Sequence, residues 1–203
     1  NVRLIAVTKP LVEGVENAEQ LIAYCARVSN PSNQMNTETA PRLLRYCIRN
    51  GHWSVFETVS MTLEIETSRA IAAQILRHRS FTFQEFSQRY SKSEDYEITE
   101  LRTQDTENRQ GSGTVIDDHH LKENVYNAML ASFTCYRILI DSGVSKETAR
   151  MVLPLCTRTK LYMTGSVRSW IHYFEQRCSD HTQKEHRDVA NAARAIFNEQ
   201  FPS

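Results

Sequence analysis

Between Val59 and His78 the hydrophobic period of the chain changes, and that change constrains the fold more than any other feature. Val59, Met61, Leu63 and Ile65 alternate with Ser60, Thr62, Glu64 and Glu66, the two-residue period of a strand with one buried face. From Ser68 the apolar positions recur at helical spacing and predict a helix running to about His78. On such a helix Gln74, Arg77 and His78 share a face, being three and four positions apart. One strand-to-helix unit would thus deliver Gln74 together with the Arg77-His78-Arg79 run.

The remaining periodicities fill in an α+β pattern. Leu4 to Val7 reads as a short strand and Ala18 to Val28 as a helix, broken by the polar Asn30–Asn36 stretch. Ala40 to Ile48 is a second helix, stopped by Asn50-Gly51. Leu121 to Ile140 resumes helical spacing; Ser145 and Thr148 open a short helix carrying Arg150 that Pro154 stops. Leu161 to Thr164 reads as a strand, and two helices follow, Ser166 to Cys178 and His181 to Phe197. Residues 91–123 are polar, with Ser112 in a Gly-Ser-Gly turn, and predict a long variable loop or insertion. The expectation is one compact domain over residues 1–203, a small, mostly antiparallel sheet packed by several helices.

Gross composition excludes several classes of function. Lys plus Arg and Asp plus Glu number 24 each, so no global field draws in a polyanion, and a nucleic-acid partner is not expected. Five scattered cysteines, Cys25, Cys47, Cys135, Cys156 and Cys178, include no Cys-x-x-Cys pair, which favours reduced thiols in an intracellular protein. With no apolar run near the ~20 residues of a span and no secretory opening, a soluble, cytoplasmic protein without membrane attachment is expected. The chain opens on Asn1 rather than Met, as a trimmed chain would.

Chemistry concentrates in Arg77 to Ser91, RHRSFTFQEFSQRYS. Guanidinium groups at Arg77, Arg79 and Arg89 offer rigid donor forks for phosphate or carboxylate. Phe81, Phe83, Phe86 and Tyr90 interleave with them and imply partial burial, where an unpaired cation is expensive. An anion site explains this mixture better than a solvated face. On the Ser166–Arg177 helix, Val167, Trp170, Ile171, Tyr173 and Phe174 form one apolar arc, with Arg168, His172, Glu175 and Gln176 opposite. Arg177 falls inside the apolar arc, so it must snorkel outward, cap the helix or meet an anion in a pocket.

Arg77-His78-Arg79, seven residues and then Ser87 resemble the signature of the flavin-dependent thymidylate synthases. The likeness extends to His52-x-Ser54-x-x-Glu57, to Gln74, to Glu85 and Arg89 flanking Ser87, to Ala149-Arg150-x-Val152-Leu153-Pro154, and to the Arg168–Arg177 segment. It implies a homotetramer with flavin sites between subunits, FAD as cofactor, NADPH and methylenetetrahydrofolate as co-substrates, and dUMP as substrate, reductively methylated to dTMP in de novo dTMP biosynthesis. The implied FAD ligands are Ser54, Arg77, His78, Arg79, Glu85, Ser166, Val167, Arg168 and His172, with Ser29, His52 and Glu57 outside them. Many relatives carry Asn at the positions of Ser166 and His172. For dUMP the resemblance implies Gln74, Arg77, Glu85, Phe86, Ser87, Gln88, Arg89 and Arg150, with Arg177 as the catalytic cation facing the uracil. The location would be the cytoplasm, the host's if the chain is viral.

Several other motifs in the chain are decoys. Without a Gly-x-Gly-x-x-Gly or Gly-Lys-Ser/Thr loop, a dinucleotide must be gripped by side chains. Ser87 has no evident base to activate it and is assigned to binding. Cys156 in Leu153-Pro154-Leu155-Cys156 resembles the cysteine segment of the unrelated flavin-free thymidylate synthases, but Thr157 follows where those enzymes have His. Nothing near it promises a lowered pKa. His119-His120 and His181 with His186 lack the spacing of a zinc site, so no metal is expected, and the two later histidines either support the cleft or sit on a polar face. Asp117-Asp118 reads as a helix start. The competing readings are a flavoprotein of this fold that binds FAD and a nucleotide without methyl transfer, and a nucleic-acid binder using the arginines.

Overall fold

The computed structural model describes residues 1–203 and begins with strand β1 (Val2–Val7), helix α1 (Ala18–Ala26) and helix α2 (Ala40–Arg49). Strand β2 (Ser60–Ser68) leads into α3 (Arg69–Ile75), then β3 (Thr82–Glu85), β4 (Arg102–Gln104), β5 (Ser112–Val115) and the long α4 (His119–Asp141). Helix α5 (Lys146–Ala149), strand β6 (Arg158–Ser166), α6 (Val167–Arg177) and α7 (Lys184–Gln200) complete the chain, and 3-10 turns at Pro31–Asn33, Trp53–Glu57 and Arg150–Val152 join elements. Four strands form one antiparallel sheet in the order β1-β2-β6-β3. β4 and β5 form a separate two-stranded ribbon. No helix is long and apolar enough to cross a membrane.

The expected α+β architecture is present. The period of β2 is read out as anticipated: Met61, Leu63 and Ile65, with Leu161 and Met163 of β6 beside them, are almost fully buried beneath the helices. Trp170, Tyr173 and Phe174 of α6 pack into the same core, with Ala190, Ala193 and Phe197 of α7. Each large side chain so covered contributes about 1.5–3 kcal/mol. The opposite face of the sheet carries polar ladders: Thr62 and Thr164 hydroxyls meet at 2.9 Å, and the Tyr162 hydroxyl donates to Glu64 at 2.8 Å. Arg3 and Lys160 add cations to Glu64.

Four expectations about elements need correction, and one strand was not anticipated. Helix α3 ends at Ile75, so Arg77 and His78 lie beyond it rather than on one face with Gln74. The amides of Arg77 and His78 bond the carbonyls three residues back, at 3.4 and 3.0 Å, a tightened last turn that lets the chain reverse toward the sheet. Strand β3, inside the signature segment, had no strong period of its own and is specified by pairing with β6. Strand β6 runs nine residues where four were expected, because Arg158, Lys160 and Thr164 occupy its polar face. Residues 91–123 are partly ordered as the β4–β5 ribbon, with Ser112 opening β5 rather than sitting in a turn. Arg150 follows α5 and opens a 3-10 turn instead of riding on the helix. The helix start at Asp118 is as read: its side chain accepts from the Leu121 amide at 3.1 Å.

Candidate functional site

The signature run is a turn with its middle residue folded inward. Arg77 and Arg79 are exposed, whereas His78 is half-buried between them. Phe81 anchors the turn by packing edge-on to Trp170 at a ring separation of 4.8 Å, above Gly165 of β6, where any side chain would overlap its ring. Ser169 of α6 ties down the same turn by donating its hydroxyl to the Ser80 carbonyl at 3.1 Å.

Behind the turn lies a network of histidine, tyrosine and amide groups. Arg177, at the end of α6, donates Nε to His78 Nε2 at 2.9 Å. It makes no ion pair, so the cation in the apolar arc is met by a neutral imidazole instead of an anion. Burial, then chiefly the Arg177 guanidinium, lowers the His78 pKa to about 4. The His78 ring stands edge-on to Tyr173 at 5.0 Å. Tyr173 is hydrogen-bonded to His186 Nε2 at 3.1 Å, and His186 Nδ1 lies 3.2 Å from Gln74 Oε1. Burial raises the Tyr173 hydroxyl well above its ordinary value, and burial, then Arg177 and His78, lowers His186 to about 3. At neutral pH the cluster therefore holds one fixed cation, Arg177, among neutral hydrogen-bonding groups.

Two clefts hold further expected site residues. One, of about 440 Å³, is lined by Trp53, Glu57, Ser80, Arg168, His172 and their neighbours on α6. Arg168 is paired with Glu57 across it. His172 bonds Gln176 at 2.9 Å, and Ser166 caps α6 by accepting from the Ser169 amide at 3.2 Å. The second cleft, of about 300 Å³, is lined by Arg69, Gln88, Arg150 and the Met151–Leu155 segment. Nearby, Arg89 pairs with the Glu147 carboxylate at 3.1 Å, while Arg150 Nε donates to the Glu147 carbonyl at 3.3 Å.

The structure thus gathers the expected site residues into separate groups. Glu57, Arg168 and His172 share the first cleft; Gln88 and Arg150 share the second, with Arg89 close by; Gln74, His78 and Arg177 meet in the network. Ser87 and Phe86 are exposed after β3, Val167 is buried in the core, and Ser29, His52 and Ser54 are exposed on turns. Tyr46 lies edge-on to His52 at 5.8 Å. Glu85 is already engaged, by Arg69 at 2.6 Å and the Thr159 hydroxyl at 3.0 Å. Trp53, Ser80, Ser169 and Arg69 carry no motif and enter only through tertiary contacts. Sequence reading left His186 between two roles; the ring is fully buried, whereas His181 is exposed. Burial raises the Cys156 thiol pKa, contrary to what a nucleophile needs.

Fold and site together define an α+β protein that presents unpaired guanidinium groups beside neutral imidazoles, with grooves lined by side chains and no glycine-rich phosphate loop. Residues 10–203 match the family described as thymidylate synthase complementing protein. The chain is 55% identical to a probable flavin-dependent thymidylate synthase of Paramecium bursaria Chlorella virus 1, covering 99% of this chain and 95% of that one. A flavin-dependent thymidylate synthase of Synechocystis sp. is 53% identical, covering 100% and 96%. Among solved structures, a UMP/dUMP methylase from Streptomyces cacaoi bound with 5-Br dUMP superposes with a TM-score of 0.85 at 26% identity, over 100% of this chain and 91% of the other. The chain belongs to the thymidylate synthase complementing protein family, that of the flavin-dependent thymidylate synthases, and is an enzyme of that class.

Proposed function

We propose that this enzyme methylates dUMP reductively to dTMP, taking the one-carbon group from methylenetetrahydrofolate and using FAD reduced by NADPH. The observation that carries the reading is Arg177, a partly buried cation with no carboxylate partner, set against a neutral His78. Facing a uracil, such a cation favours the anionic form of the ring and makes carbon 5 more nucleophilic. Arg77, Gln74, Ser87, Gln88, Arg89 and Arg150 would bind the rest of the nucleotide, with Phe86 against it. The Arg89–Glu147 pair is largely exposed and worth little, so a phosphate dianion competes for that guanidinium at small cost.

The donor set of the larger cleft suits FAD. Arg168, His172 and Ser80 offer hydrogen bonds and charge, Trp53 and Ile171 an apolar surface for a flat ring. His52, Ser54, Ser29, Arg77, Arg79, Ser166 and Val167 would extend that grip, and Glu57 and Glu85 would hold the Arg168 and Arg69 side chains in place. When bound, FAD supplies the hydride. A homotetramer whose neighbouring subunits complete each site belongs to the same reading. Five unpaired cysteines suit a cytoplasmic location, the host's if the chain is viral.

Tritium release from dUMP labelled at carbon 5 tests the proposal, with FAD, NADPH and methylenetetrahydrofolate each omitted in turn. Release that needs all three is expected. Flavin binding and NADPH oxidation without release would instead assign a flavoprotein lacking methyl transfer.

A further inference from the structure

A hydrogen-bond chain of fixed polarity runs from Glu185 through the exposed Gln183 to Tyr173 in the core. An ionised carboxylate only accepts hydrogen bonds, and Glu185 stays ionised. Burial pushes its carboxyl up, but the hydrogen bonds from Arg102 and then Gln183 outweigh burial and hold it below the ordinary range. Arg102 Nη2 at 2.6 Å and Gln183 Nε2 at 2.9 Å are therefore its donors. Gln183, with its NH2 group turned to Glu185, accepts at Oε1 from Gln74 Nε2 at 2.7 Å. Gln74 is left with Oε1 toward His186 Nδ1, which must carry the ring proton, and His186 Nε2 then accepts from Tyr173. Reversing a link would oppose two donors or two acceptors, which is most costly at the buried His186–Tyr173 end.

The two ends of the chain differ in firmness. Gln183 is exposed, whereas His186 and Tyr173 are fully buried. The hold on Gln74 thus comes from the buried end. We propose that His186 is a positioning residue of the nucleotide site: by holding Gln74 Oε1 it turns the amide so that the Nε2 N–H not given to Gln183 faces the ligand. This rests on the reading of Gln74 as a dUMP ligand. An amide held in this way recognises an acceptor, a base carbonyl or a phosphate oxygen, and rejects an N–H. A free amide would lose affinity through rotamer freedom and through the misoriented half of its population. The other titratable or charged groups facing His186 are Tyr173, His78 and Arg177. Their arrangement, with burial, keeps the ring neutral, and one nitrogen of a neutral imidazole must accept.

Steady-state tritium release on the FAD-loaded enzyme, with flavin content measured alongside, tests the role through His186→Leu, His186→Asn and Gln74→Ala. His186→Leu is expected to raise the KM for dUMP about tenfold while kcat changes less than about threefold, the signature of lost binding. His186→Asn, whose amide nitrogen replaces the Nδ1 donor, recovers KM to within about threefold of the original enzyme. In the Gln74→Ala background His186→Leu adds nothing further. An unchanged KM in His186→Leu, an Asn variant as weak as the Leu variant, or additive effects with Gln74→Ala overturns the proposal. Should the Leu variant not load FAD, the Asn variant decides in its place against Gln74→Ala: it keeps an N–H toward Gln74 Oε1, so its KM must stay within about threefold of the original enzyme, and a rise as large as that of Gln74→Ala overturns the role. Original enzyme with no dUMP-dependent release would instead be the failure of the proposed function, and normal dUMP kinetics in Gln74→Ala the failure of Gln74 as a ligand.

Discussion

At the scale of single residues, the two buried histidines make stability depend on acid. An unfolded histidine titrates near pH 6.5, whereas folding lowers His78 to about 4 and His186 to about 3, by burial first and then by Arg177. The folded state thus disfavours the imidazolium form. The stabilisation is complete above about pH 6.5 and is lost as pH falls through the folded values. The thermal midpoint is expected to drop between pH 6.5 and 4, less steeply in His186→Leu; calorimetry across that range compares the slopes, and equal slopes would remove His186 as a contributor. Gly165 poses a packing problem of similar sharpness. Its φ is not in the left-handed region, yet an added Cβ would overlap the Phe81 ring. Gly165→Ala should cost about 1–3 kcal/mol through overpacking, and Phe81→Leu should recover part of that loss in a double-mutant cycle measured by chemical denaturation.

Among the elements, legibility followed how strongly local period and burial agreed. Strand β2 was readable because Met61, Leu63 and Ile65 face a core while Thr62, Glu64 and Glu66 face a polar surface. Its partner β6 was read too short, since a residue such as Lys160 looks like loop until Glu64 and Glu66 are seen beside it. Strand β3 escaped altogether: Thr82 to Glu85 takes its identity from Thr164 to Leu161 across the sheet, a tertiary influence that no window of residues contains. Of the candidate site, the residue types were legible and their grouping was not, because Gln74 meets His186 across more than a hundred residues of chain. Helix α6 joins both levels. Ser166 caps it, and the adjacent Ser169 holds the signature turn through the Ser80 carbonyl. Ser166→Ala should lower stability by about 1 kcal/mol, while Ser166→Asn, another good cap, keeps it; thermal denaturation of the two variants separates capping from any contact with a cofactor.

For the whole molecule the decisive question is how the segment 91–123 is joined to the domain. The ribbon it forms does not pair with the four-stranded sheet. Its main polar tie runs from Arg102 of β4 to Glu185 of α7, with side chains only 11% and 13% exposed. Arg102 also donates to Ser112 of β5 at 2.9 Å, so one guanidinium holds both strands of the ribbon and the helix. The Lys184–Glu100 pair beside it is more exposed and contributes less. Removing Arg102 leaves Glu185 partly buried without its cation, at a cost of about 3–5 kcal/mol if the carboxylate cannot relax into water. Replacing both partners by apolar residues of similar size removes that stranded charge. Arg102→Met is therefore expected to destabilise more than the double variant Arg102→Met with Glu185→Met. Hydrogen exchange should then increase in β4 and β5 while β2 and β6 stay protected, since the ribbon opens without disturbing the core. Faster exchange throughout the sheet would mean that the ribbon is part of the folding unit itself, and a double variant as unstable as the single one would mean that the burial of Glu185 is not what Arg102 offsets.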